Sequence, residues 1–197
     1  MKSLKKLVGL FVLAGTLAFT GCTNPVTTKI SPVEDSGERV SGTAISCALP
    51  KGWEKIDDPT GYDDGFTIKK GLLNSVVIAV QKDIAQGDIT LEGFMEPLKS
   101  TLVETGFAID TAEIRDYSFG KGIFMGASVE ITDEFVNSLP EDQKKEVKGL
   151  VGQKANEGVV YFFKGTDMIV VEASTFGDDA SGVQEVAEFI ANSIELQ

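Results

Sequence analysis

Histidine is absent from the 197-residue chain. That absence removes Ser-His-Asp and Cys-His catalysis, imidazole acid–base chemistry and His-ligated zinc together. Cysteine is nearly missing as well, with Cys22 and Cys47 alone. If Cys22 is used as an anchor, no disulfide framework holds the fold, and a packed core must stabilise it. Arginine is confined to Arg39 and Arg115, and 30 acidic residues outnumber 18 basic ones, for a formal charge of −12. An acidic surface is repelled by nucleic-acid phosphates and by anionic lipid headgroups. Nucleic acid is therefore not an expected partner, and any membrane attachment must come from something other than a basic patch. Long apolar runs are lacking apart from one. Leu7–Phe19 carries no charge, yet thirteen residues at about 1.5 Å each reach only about 20 Å, short of a ~30 Å hydrocarbon core.

That run is a secretory signal by its flanks. Lys2, Lys5 and Lys6 form a basic head, the apolar stretch follows, and small residues close it. The closing box is Leu17-Ala18-Phe19-Thr20-Gly21-Cys22, with Phe19 where leucine is usual. Small residues directly before a cysteine are what a lipoprotein signal peptidase requires, because the lipid-modified thiol must enter its site. The expectation is a signal peptide over 1–21 and a diacylglyceryl anchor on Cys22. The alternative is ordinary cleavage nearby, with Cys22 left as a free thiol. One acyl chain binds a membrane marginally, whereas two give stable anchoring. Loss of the signal removes three lysines and no acid, taking the formal charge from −12 to −15.

Residues 22–41 are rich in Thr, Ser, Pro, Glu and Val and read as the lipidated cysteine and a flexible tether. A single domain is expected over 42–197. In it Ile45, Cys47 and Leu49 alternate with Ala44, Ser46 and Ala48, a strand with one strongly apolar face. Cys47 is expected to be a small buried hydrophobe, since nothing nearby would lower its pKa. Pro50-Lys51-Gly52-Trp53 ends that strand in a turn, and Trp53 is either a core plug or a ligand platform. Asp57, Asp58, Asp63 and Asp64 crowd the loop that follows, beside Tyr62. Calcium favours such carboxylates, but their spacing does not fit the D-x-[DN]-x-[DN]-G loop with its distal glutamate. A solvated acidic loop is the simpler reading, and no metal site is assigned.

Strands are expected over Gly65–Lys70 and Ser75–Lys82, the second apolar on both faces and so covered from both sides. Thr90 opens a helix with Leu91, Phe94, Met95, Leu98 and Leu102 on one stripe; Pro97 interrupts it and Gly106 closes it. Ile109–Phe119 and Ile123–Ile131 read as paired strands turning at Gly120-Lys121-Gly122. Ser138-Leu139-Pro140-Glu141 resembles a capping box before an exposed short helix. The Gly-Lys runs lack the order of a phosphate-binding P-loop. Val159–Lys164 and Met168–Phe176 form the clearest hairpin and the best central strands. A final helix, capped by Asp178 or Ser181, carries the stripe Val183, Val186, Ala187, Ile190 and Ile194. Antiparallel hairpins with helices above and below predict an α/β/α sandwich.

The strand ending Leu49-Pro50-Lys51-Gly52-Trp53, the helix near Leu91–Glu104, the Val159–Phe176 hairpin and the closing Ala191-Asn192-Ser193-Ile194 together resemble the PsbP-like fold, including its DcrB-like bacterial lipoproteins. The resemblance covers nearly the whole of 42–197, with Ser138–Glu157 as extra length. It implies a largely antiparallel sheet and a role in binding other proteins, with no shared catalytic residues to carry over. The expected function is a non-enzymatic adaptor, chaperone or accessory subunit, held at the extracytoplasmic face of a cell membrane through Cys22 and acting on an envelope protein. No cofactor is expected. A small-ligand or calcium-binding lipoprotein, walled by Trp53, Tyr62, Asp63 and Asp64, is the alternative; a carboxylate-based hydrolase is the third reading.

Overall fold

The computed structural model describes residues 29–56, 62–71, 73–84, 90–139, 144 and 147–197. The signal segment, Cys22, Asp57, Asp58 and the Pro140–Glu141 part of the capping box lie outside the described residues.

Alternation along the central hairpin sets the architecture. In β8 (Lys154–Lys164), Val160 and Phe162 point to one face of the sheet while Val159 and Tyr161 point to the other. β9 (Asp167–Phe176) returns after a two-residue Gly165-Thr166 turn and pairs with β8 in antiparallel register. Both strands are buried on both faces, as expected of strands with a layer on each side. Around them β3 (Glu54–Ile56), β4 (Asp64–Lys70), β5 (Asn74–Gln81), β6 (Ala108–Tyr117) and β7 (Gly120–Glu130) complete a seven-stranded sheet. Its order is β3-β4-β5-β9-β8-β7-β6, and every pairing is antiparallel.

The face shared by Val160 and Phe162 is covered by a helix and a second sheet. Helix α3 (Ala180–Ser193) lays Val183, Val186, Ala187 and Ile190 onto it. Gly158 permits close approach there, for a Cβ at that position would stand 3.1 Å from Val183 Cγ1. The second sheet, of order β1-β2-β10, contributes Ile45, Cys47 and Leu49 from β2 (Ile45–Pro50) to the same core. Its outer strands are β1 (Asp35–Ser41) and the two-residue β10 (Glu195–Leu196). On the opposite face α1 (Leu91–Glu104) lies over β6 and β7, and its Leu98 and Leu102 join a core that includes Met125, Ala127, Val159 and Tyr161. Thr90 caps α1 by accepting from Gly93 N–H, the helix runs on through Pro97, and Gly106 follows it at φ +92°.

The α/β fold with an antiparallel sheet between helices is as the sequence predicts, with five local corrections. Residues 35–41, expected in the tether, form β1, because β2 presents an edge that pairs with them. Ile30 is buried in the core, so the packed domain begins before residue 42. The β6–β7 turn is Ser118-Phe119, with Gly120 already paired to Tyr117 and the strand starting earlier than its apolar pattern. Helix α2 (Asp133–Ser138), capped by Thr132 accepting from Phe135 N–H, precedes the expected short helix; Val147 and Leu150 downstream are buried with Ile131 and Phe176 rather than exposed. At α3 the capping side chain is Asp179, which accepts from Gly182 N–H.

Candidate functional site

Two acids break the apolar pattern of the central hairpin on the α1 face. Glu157 lies opposite Ser174, and Glu172 opposite Val159, so the two glutamates are diagonal neighbours on one side of β8 and β9. Both are almost wholly buried, at 5% and 4% exposure. Tyr161, opposite Val170, sits one step further along the same face and is completely buried. Beyond Glu172 the register row continues through Val77 to Thr67, and beyond Ser174 to Ser75, whose hydroxyl meets that of Ser174 at 2.9 Å. The result is a polar patch inside an otherwise apolar interface.

Its electrostatics are unbalanced. The Oε2 atoms of Glu157 and Glu172 and the Oγ1 of Thr67 are buried without a hydrogen-bond partner. Burial pushes the Glu157 carboxyl up to about 8. Burial, and then repulsion from Glu157, pushes Glu172 well above the ordinary carboxylate range. Desolvation raises Tyr161 and Tyr62 as well, with both glutamates adding to it. Two buried carboxyls with no cation cannot both ionise; the pair must hold at least one proton near neutral pH. A narrow cavity of about 10 Å³, room for a single water, runs between Phe107, Phe135, Val147 and Phe176 to Glu157 and Ser174.

The residues singled out from the sequence are dispersed by the fold. Trp53 is 6% exposed and packs in the core under α3, while Tyr62 packs on the α1 side. These two aromatics therefore do not wall one site. Asp63 accepts from Gln81 Nε2 and Lys82 N–H, both at 2.7 Å. Asp64 accepts from Thr43 and Ala44 N–H at 3.0 and 2.6 Å, tying β4 to the β1–β2 turn. Partial burial would raise the Asp64 carboxyl, but these N–H donors outweigh it and hold it below the usual value. Cys47 is fully buried, and desolvation pushes its thiol up to about 12, so it is an inert core residue. Among the described residues no cluster of three or more acidic or thiol side chains is placed to hold a metal. Tyr62 is the sequence candidate that the structure brings beside the glutamate pair. The pair itself went unread, although an acid inside Met168–Ala173, a run otherwise apolar, is the signal that marks it.

Elsewhere the surface is open and mostly polar. A groove of about 530 Å³ runs between Arg39, Ser118, Phe119 and the end of α3. Arg39 is engaged there, donating to Ser193 O and pairing with Glu195. Among the described residues Val103 and Val151 are the large apolar side chains most exposed, and no helix is long and apolar enough to cross a membrane.

Neither a protein-family model nor a curated protein sequence matches the chain. Solved structures do. The Ran-binding protein Mog1p of Saccharomyces cerevisiae aligns over 83% of this chain and 96% of its own, at 8% identity and a TM-score of 0.55. Cyanobacterial PsbP (CyanoP) from Synechocystis aligns over 93% and 100%, at 16% identity and a TM-score of 0.49. LpqN, involved in cell envelope biogenesis of Mycobacterium tuberculosis, aligns over 84% and 89%, at 13% identity and 0.49. At these identities the likeness is one of fold.

Proposed function

We propose that the chain is an extracytoplasmic lipoprotein, anchored in the cell membrane by a diacylglyceryl group on Cys22, whose domain binds another envelope protein as a non-enzymatic adaptor, chaperone or accessory subunit. The observation that carries this reading is the Leu17–Cys22 box standing immediately before a folded domain. Ile30 is already in the core, only eight residues after Cys22. A chain of that length spans at most about 28 Å fully extended. The domain would therefore work close against the membrane, within reach of the extracytoplasmic portions of membrane proteins; in a Gram-positive cell this is the outer face of the plasma membrane.

A binding role is also in keeping with the fold it shares with Ran-binding Mog1p. Catalysis is disfavoured by the chemistry on hand. The chain has no histidine, and the acid pair Glu157 and Glu172 is buried away from substrate, with Phe107, Phe135, Val147 and Phe176 around Glu157. Calcium binding at the acidic loop loses ground too, because both oxygens of Asp64 and the Oδ2 of Asp63 already accept from backbone and amide donors.

The deciding experiment is a crosslinked pull-down of the tagged full-length protein from its native membrane, beside a Cys22→Ala variant. The expected result is one stoichiometric envelope partner, together with a shift of the variant to the soluble fraction. A variant that stays with the membrane would overturn the anchor, and a preparation free of partner would overturn the adaptor role.

A further inference from the structure

We propose that Glu157 and Glu172 form a proton-binding site that clamps the α1 layer onto the sheet, so that loss of the proton loosens that layer. The inference stands on placement, independently of any lipid anchor. The two carboxyls are diagonal neighbours on the face that α1 covers, and each has one oxygen buried without a partner. Tyr161 and Tyr62 are the titratable groups beside them. From α1, Glu92, Glu96 and Glu104 point to solvent and Lys99 pairs with Glu96. Lys69, on the same side of β4, pairs with Glu54, and Lys148 beside Val147 is exposed. None of these cations is placed to neutralise the pair.

The occupant that fits is a proton. Calcium takes six to eight oxygens, and two carboxylates with neighbouring hydroxyls fall short, with no third acid among the described residues to join them. On deprotonation one carboxyl O–H bond breaks, the proton passes to water, and the pair gains a negative charge inside an apolar layer. Hydrating that charge requires the layer to part. Over Glu157 the cover is Phe107, which closely follows α1, with Phe135 and Val147. Helix α1 itself lies over β6 and β7 and buries three residues, Leu98, Thr101 and Leu102, where α3 buries six, so this layer is the weaker one. Leu98 and Leu102 share their core cluster with Val159 and Tyr161, the strand neighbours of the two acids.

Hydrogen exchange on the full chain in mild detergent tests this, with rates corrected for the intrinsic effect of pH. Between about pH 6 and pH 8.5, amides of residues 91–104 should lose protection by about tenfold, while those of 180–193 hold theirs. The Glu157→Gln, Glu172→Gln double variant should keep α1 protected at both values. An infrared band of a protonated carboxyl should be present in the wild type at neutral pH and absent from the double variant; this second readout needs only the native protein if the variant fails to fold. Wild-type protection indifferent to pH, no protonated-carboxyl band, or equal loss in the double variant would each overturn the proposal. So would restoration of protection at the higher pH by calcium or magnesium, reversed by chelator, which would make the pair a cation site.

Discussion

The two faces of the seven-stranded sheet treat buried polarity differently. On the α3 side, the deeply buried Asn156 and Thr175 are hydrogen-bonded, to Gly177 O and to Asn74 Oδ1, and the hydroxyl without a partner is that of half-buried Tyr117 at the end of the edge strand β6. On the α1 side, Glu157, Glu172 and Thr67 each keep a buried oxygen without a partner. A satisfied buried polar group fixes a fold at little cost, whereas an unsatisfied one is expensive and persists where it can change state. The α3 face thus behaves as scaffold, and the α1 face as the part of the domain whose stability can be adjusted.

Three measurements would break that comparison or sharpen it. The largest effect is expected from the scaffold. Ile190→Ala should cost about 2–5 kcal/mol in urea unfolding, the usual toll of emptying a well-packed core site, and equally at pH 6 and pH 8.5. A pH-dependent loss would mean the two faces are coupled. Next comes the wild type's own pH profile. The Glu157 carboxyl sits near 8 in the folded domain against an ordinary 4.5, so the folded state keeps a proton that the unfolded chain releases. The stability it contributes is complete below about pH 4.5 and is lost as pH rises through about 8. The change is on the order of a few kcal/mol. Glu157→Gln should flatten part of the slope and leave the share of Glu172, whose own burial raises it; a profile already flat in the wild type would abolish the contrast between the faces. A smaller effect follows from Asp179, which caps α3 and accepts from Ile30 N–H at 2.8 Å. Asp179→Ala should cost about 1–2 kcal/mol by thermal or urea melting.

How far the sequence discloses all this depends on the range over which each feature is decided. The hairpin of β8 and β9 and the stripe of α3 are legible because their periodicity is local: Val160, Phe162, Ile169 and Val171 declare their face by alternation alone. β1 is not legible, since Asp35–Ser41 has a linker's composition and becomes a strand only when β2 offers its edge. The same holds for Val147, whose burial depends on Ile131 and Phe176 arriving from distant strands. The acid pair illustrates the limit best. Glu157 and Glu172 are fifteen positions apart; Glu172 is conspicuous within its apolar run, but Glu157 alone passes for a solvated edge residue. Only the hairpin register makes them neighbours. Conversely, Trp53 and Tyr62, close in sequence and joined by reading into one wall, are sent to opposite faces.

The smallest predicted effect runs in the opposite direction with pH. Glu185 on α3 accepts from Ser31 Oγ and Val33 N–H, at 2.5 and 2.7 Å, and these bonds hold its carboxyl below the ordinary value. Its contribution is present above the unfolded-state pKa and is lost as pH falls through the lower, folded value. The site is exposed, so screening by water keeps the global effect below about 1 kcal/mol. Glu185→Ala should therefore scarcely move the melting temperature, yet residues 30–34 should become more open to proteolysis and hydrogen exchange at neutral pH, as they should in the wild type under acid. The same probe applied to α1 should report loosening under base. If both segments loosened on the same side of neutrality, the distinction between a strap held by an ionised carboxylate and a layer held by a protonated pair would fail, because the two depend on opposite protonation states of the same kind of side chain.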